Sequence, residues 1–129
     1  MDLTEEEWKQ RLTPEQFHVL REKGTDEPGS GELLHNHDTG DYQCAACGNV
    51  VFQSGTKFDS GSGWPSFYDV ANTEAVKLQQ DDSLGEPRVE VLCANCGGHL
   101  GHVFHDAPDQ PTGVRFCINS TALKFEKKS

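Results

Sequence analysis

The chain has 129 residues, 34% of them hydrophobic and 25% charged, and carries a formal net charge of -10. With a mean hydropathy of -0.65, apolar burial alone gives a modest core, and an additional staple is expected. The acidic balance argues against a nucleic acid partner and against an anionic membrane surface, both of which select cationic faces.

The first residues, MDLTEEEWKQ, show no basic stretch followed by an apolar one, so no secretory leader is expected. No apolar run approaches the ~20 residues that span a bilayer. A cytoplasmic, reducing setting is therefore expected, in which cysteines bind metal or do chemistry more often than they form disulfides.

Residues 1–24 read as two short amphipathic helices packed on a domain edge. Thr4 with Glu7 and Thr13 with Gln16 each match a capping box. Pro14 suits a first helical position, Phe17 and Leu20 share a face, and Gly24 is a stop signal. Residues 25–41 form a glycine-rich, wrap-around loop in which His35 and His37 read as solvent-exposed. From Tyr42 the texture becomes β-branched and aromatic, with glycine-rich turns. The expected strands are Tyr42–Cys44, Val50–Phe52, Val76–Gln79, Arg88–Cys93, His102–His105, Val114–Ile118 and Leu123–Glu126, the pattern of a small antiparallel β fold. The whole chain, 1–129, reads as one domain, with its β core over 42–126.

The five cysteines divide as four plus one. Cys44 and Cys47 lie in CAACG, Cys93 and Cys96 in CANCG. Two CxxC turns, each followed by glycine, supply the four thiolates of a tetrahedral Zn²⁺ site. The stretch between them is longer than a compact zinc ribbon, so one structural zinc would join distant strand connections. A redox-active CxxC is the weaker alternative, because neither unit opens a helix in a βαβ pattern.

Cys117 is left over, in VRFCINS. A strand there puts Val114, Phe116 and Ile118 on one face and Arg115, Cys117 and Asn119 on the other. The adjacent cation favours a thiolate, although an inert buried cysteine fits the same pattern. His99 and His102 follow Cys96 closely. As zinc ligands they would orphan Cys44 and Cys47; otherwise they are available for proton transfer. His102, Phe104 and Asp106 would share a strand face, and a bulge at Gly101 could turn His99 to the same side. Trp64, between Gly63 and Pro65, reads either as a lid on the core or as the wall of a pocket for a small apolar group.

Taken together, GDYQCAACG, KFDSGSGWPSF, RVEVLCANCGGHLGHVF and PTGVRFCINS resemble the B-type peptide methionine-(R)-S-oxide reductases, from about Thr13 to Glu126. The resemblance implies a mainly β fold of two antiparallel sheets with short N-terminal helices on the edge, stapled by zinc on Cys44, Cys47, Cys93 and Cys96. It implies Cys117 as nucleophile and His102 as the proton-handling residue. His99, Asp106, Arg115 and Asn119 match other polar positions of that site, and Trp64 matches the wall that holds the substrate methyl. The implied partners are oxidised proteins or peptides containing methionine sulfoxide, and thioredoxin or another thiol reductant; a monomer is the simplest expectation. Two positions depart from the family. Many members have a resolving cysteine where Ser62 stands, and often a phenylalanine where Gly29 stands. The competing reading is a non-catalytic zinc-knuckle domain that binds a small ligand or peptide in an aromatic pocket. The feature that discriminates is Cys117 with Arg115 and His102, since a pure binder needs no thiolate.

Overall fold

The computed structural model describes residues 4–22, 24, 26, 31, 33–34, 36, 38–58, 63–72, 74–81 and 88–127. Ser62, Gly29, His35 and His37, all singled out in the sequence, lie outside the described residues.

Helices α1 (Glu5–Arg11) and α2 (Pro14–Glu22) start where their capping boxes place them. The Thr4 hydroxyl accepts from Glu7 N at 3.2 Å. Thr13 and Gln16 repeat the exchange, with Thr13 N donating to Gln16 Oε1 at 3.0 Å and Gln16 N to Thr13 Oγ1 at 3.2 Å. Gly24 N closes α2 on the His18 carbonyl at 2.8 Å. Trp8, Phe17, Val19 and Leu20 are buried, and α2 packs against the start of a strand carrying His99 and against the Ser120–Ala122 turn.

Strands β1 (Gly40–Cys44), β2 (Val50–Gln53) and β9 (Leu123–Lys127) form a three-stranded antiparallel sheet in the order β2-β1-β9. The second sheet has six strands: β3 (Lys57–Phe58), β4 (Ser66–Phe67), β5 (Val76–Asp81), β6 (Arg88–Cys93), β7 (His99–Phe104) and β8 (Arg115–Ile118). Its order is β3-β4-β8-β7-β6-β5. The sheets meet through aromatic rings. Phe52 stacks on Phe67 at 4.4 Å, and Tyr42 meets Phe67 edge-on at 5.0 Å. Phe116 closes on Phe52 at 5.6 Å. Each such pair is worth about 0.5–1.5 kcal/mol beyond area burial, so β4 and β8 are anchored from behind.

Three expectations are corrected. β3 and β4 were not expected, because two residues give no periodicity to read. The strand expected at His102–His105 begins at His99 and ends at Phe104, which leaves Asp106 beyond the strand rather than on the face of His102 and Phe104. The irregularity that turns His99 is at Leu100, not Gly101: Val91 pairs with Gly101 and Leu92 with His99, so Leu100 is the extra residue.

Gly101 has a different reason to be glycine. It pairs with Ile118 on β8, and a methyl group there would overlap the Cys117 carbonyl oxygen and come within 2.9 Å of the Ile118 Cα. Backbone cannot yield as a flexible side chain does. Gly101→Ala should therefore destabilise the fold by about 1–3 kcal/mol and displace β8. A melting curve and a rate measurement should show both losses together.

Candidate active site and metal centre

One cross-strand row runs along one face of the six-stranded sheet. Glu90 on β6 pairs with His102 on β7, His102 with Cys117 on β8, and Cys117 with Ser66 on β4. Paired residues of antiparallel strands project on the same side, so these four side chains share a face. Alternation along β8 is as expected: Phe116 and Ile118 are buried, while Arg115 and Cys117 are half-buried. His102 is also half-buried. Cys117 and His102 are therefore neighbours by register, so the two residues to which the resemblance gives the nucleophile and proton-handling roles lie side by side.

Arg115 and Asp106 form a two-point pair, with Arg115 Nε to Asp106 Oδ1 and Nη2 to Oδ2 both at 3.0 Å. The Asp106 bonds, and the Cys117 sulfur within reach, hold the guanidinium above its ordinary range against the opposing effect of burial. The Arg115 bonds in turn pull the Asp106 carboxyl below its usual value. The guanidinium also lies over Phe104, 4.7 Å from the ring centre. A fixed cation beside a half-buried sulfur favours the thiolate, the attacking form. Asp106 thus acts by orienting Arg115.

Asn119 is 3% exposed and works as a clamp. Its backbone N and its Nδ2 both donate to the Leu100 carbonyl, at 2.9 and 3.1 Å, which pins the extra residue of the bulge. Its Oδ1 accepts from Asp26 N at 2.9 Å. Asp26 takes the Thr121 N–H on Oδ2 at 3.0 Å, and its carbonyl accepts the Trp64 indole Nε1–H at 2.9 Å. Trp64 is thereby tied through Asp26, a residue of the wrap-around segment, to Asn119 just past the end of β8. Ser66 pairs with Cys117, and Ile118 N donates to the Pro65 carbonyl at 2.9 Å, so the segment that follows Trp64 is held against β8.

His99 sits behind His102, with ring centres 5.3 Å apart and edge-to-face. Its Nδ1 is 2.6 Å from Glu90 Oε2, and the two side chains are only 3% and 1% exposed. Glu90 and Asp26 were not among the residues read from the sequence. Glu90 carries a signal that could have been used: in RVEVLC, alternation sets its carboxylate on the face opposite Val89 and Val91, in the middle of an apolar strand. Asp26 carries none, since its bonds reach residues far along the chain. A cavity of about 290 Å³ is lined by Gln80, Arg88, Val89, Val103, Phe104 and His105 and includes none of Cys117, His102 or Trp64.

The other four cysteines converge. The sulfurs of Cys44, Cys47, Cys93 and Cys96 all lie within 4.8 Å of one another. Cys44 Sγ is 3.6 Å from Cys96 Sγ, and Cys47 Sγ is 3.6 Å from Cys93 Sγ. Thiolates bound tetrahedrally at ~2.3 Å from zinc would stand about 3.8 Å apart, so the donor set fits. The two turns have the same build. Gly48 N donates to the Cys44 carbonyl and Gly97 N to the Cys93 carbonyl, both at 2.8 Å, and both glycines take positive φ, 81° and 76°. The space around each is open, so conformation and not crowding selects glycine there. The contacts to Cys47, Cys93 and Cys96, together with burial, push the Cys44 thiol far up, so holding all four sulfurs ionised at this spacing would take a bound cation. Cys44 ends β1 and Cys93 ends β6, so an ion here joins the two sheets. The histidines are not needed as ligands. None of the five cysteines is in a disulfide, and no helix among the described residues is long and apolar enough to cross a membrane.

A SelR domain model matches residues 12–127, the span that carries both the Glu90–His102–Cys117–Ser66 row and the cysteine cluster. The chain belongs to the SelR domain family. Relatives of this SelR domain include a "Peptide methionine sulfoxide reductase MsrB" of Methanosarcina mazei, 56% identical over 128 residues that cover 99% of this chain and 91% of the relative. One of the same name in Leptospira interrogans is 56% identical over 125 residues, covering 97% of this chain and 95% of the relative. The "Methionine-R-sulfoxide reductase B3, mitochondrial" of Mus musculus is 52% identical over 122 residues, covering 95% of this chain and 48% of the relative.

Proposed function

We propose that this SelR domain protein is an oxidoreductase that returns methionine-(R)-sulfoxide in proteins or peptides to methionine at the expense of an external thiol. The observation that carries the reading is the registered pair Cys117 and His102, flanked by Arg115, in a chain of this family.

The Cys117 thiolate attacks the sulfoxide sulfur. That attack forms an S–S bond; His102 gives a proton to the oxygen, which leaves as hydroxide when the S–O bond breaks, and hydroxide then adds to the Cys117 sulfur, breaking the S–S bond and freeing methionine. One thiolate, one proton and one sulfoxide become one sulfenic acid and one thioether, so atoms and charge balance. General acid assistance at the oxygen is worth about 10²–10⁴-fold in rate. Trp64 serves as the wall for the substrate methyl, and its indole N–H, held by Asp26, fixes its pose. His99, Asp106, Arg115 and Asn119 complete the site as described.

The sulfenic acid is recycled from outside. Position 62 is serine, and the four clustered cysteines would be taken up by a metal. A first thiol displaces water to form a mixed disulfide, and a second releases Cys117. Thioredoxin, glutaredoxin with glutathione, or a small dithiol can supply both. Zinc is the ion we assign to the cluster; Cys44, Cys47, Cys93 and Cys96 would hold it, and it would serve to cross-link the sheets. A reducing, cytoplasmic setting would keep those thiolates available, and residues 1–129 would act as one domain.

The test offers each sulfoxide epimer separately, first with a dithiol and then with a thioredoxin system. The R epimer should be consumed in both and the S epimer left. Consumption of neither, or a preference for S, would overturn the proposal.

A further inference from the structure

The reactive row does not end at His102: its next member is Glu90, a carboxylate only 1% exposed, paired in register with His102 on the neighbouring strand. Burying a carboxylate is costly unless a partner compensates it, and here the partner is the His99 ring nitrogen Nδ1, at 2.6 Å. The bulge at Leu100 makes this contact possible. Without the extra residue, His99 and His102 would lie on opposite faces of β7. With it, both imidazoles stand on the face of Cys117, their ring centres 5.3 Å apart. Asn119 pins the bulge through two hydrogen bonds to the Leu100 carbonyl.

We propose that Glu90 is a positioning residue for the reduction: it accepts the Nδ1 proton of His99 and so leaves Nε2 as the only nitrogen of that ring able to exchange a proton with the reactive row. The inference rests on the reductase reading above. A carboxylate on one imidazole nitrogen fixes the tautomer and stabilises the ring when the other nitrogen is protonated. His99 is then a proton store screened from solvent, adjacent to the imidazole that faces Cys117. His102, half-buried beside that ring, is the imidazole that gives its proton to the sulfoxide oxygen on the reductase reading.

The test separates charge from packing. Glu90→Gln keeps the shape and one acceptor but removes the charge. Glu90→Asp keeps the charge but retracts it by one methylene, beyond a 2.6 Å bond. A merely space-filling Glu90 predicts glutamine near the wild-type rate and aspartate the worse of the two. The proposal predicts that Glu90→Gln lowers kcat on the order of 10–100-fold with KM within about twofold and with zinc content retained. Nitrogen NMR of the His99 ring in the zinc-loaded wild-type protein provides a second readout that does not depend on either variant folding. Nδ1 should carry a slowly exchanging, strongly downfield proton, and in Glu90→Gln that proton should move upfield as the charge-assisted bond is lost. A bare Nδ1 in the wild-type protein, or Glu90→Gln turning over at the wild-type rate, would overturn the role of Glu90 while leaving the reductase reading intact. A wild-type protein inert towards both epimers would overturn the two together.

Discussion

Cys117→Ser should abolish turnover of methionine-(R)-sulfoxide, a loss on the order of 10⁴-fold or more, with the fold unchanged. The reason is specific to the sulfur. A hydroxyl in the same place stays protonated near neutral pH, and Arg115 then has no anion to favour. Sterically the exchange is mild, since Cys117 is half-buried and its neighbours on the core side, Phe116 and Ile118, are untouched. The melting temperature should therefore move by no more than ordinary surface changes do, about 0.5 kcal/mol in stability terms. A single turnover without reductant adds a direct check. Mass spectrometry should find the wild-type chain one oxygen heavier at Cys117, and Cys117→Ser unmodified. An internal disulfide instead would show that a metal-site cysteine resolves the intermediate, and full activity of the serine variant would remove Cys117 from the chemistry altogether.

Much of this site was legible because short-range rules govern it. The CxxC-Gly repeat gives its own geometry, and the two left-handed glycines after it are local consequences of the turn. Alternation along β8 separates Phe116 and Ile118 from Arg115 and Cys117 without any knowledge of the partner strands. What escaped depends on register between distant strands. That Cys117 stands between His102 and Ser66 follows from pairings that no periodicity within one segment specifies. The same holds for Asp26, whose bonds to Trp64, Asn119 and Thr121 cross most of the chain. Asp106 was placed on the wrong footing for a local reason: β7 stops at Phe104, and the following turn swings the carboxylate onto Arg115. Glu90 was not singled out in the sequence. Its burial beside His99 needed the Leu100 bulge, which a run such as GGHLGHVF does not locate by composition.

Removing the metal should unfold the protein, and activity should be lost with structure rather than before it. The ion would join the end of β1 to the end of β6, one strand from each sheet, across a core whose apolar contribution is modest. Structural zinc in thiolate sites contributes about 10–16 kcal/mol of apparent binding free energy near neutral pH, against a net stability of about 5–15 kcal/mol for a whole domain. The core packing between Phe52, Phe67 and Tyr42 cannot offset a loss of that size. Native protein should contain one zinc per chain. Anaerobic treatment with a chelator should release it, collapse the strand signal in circular dichroism and stop turnover, and added zinc should restore both. Oxygen must be excluded, because the sulfurs of Cys44 and Cys96, and of Cys47 and Cys93, lie only 3.6 Å apart; a disulfide between the knuckles would replace one cross-link with another and hide the effect. Cys93→Ser should reproduce the loss genetically, since three thiolates leave a coordination position open. A chelated, fully reduced sample that kept its fold and its full rate would show that the two sheets hold without the ion.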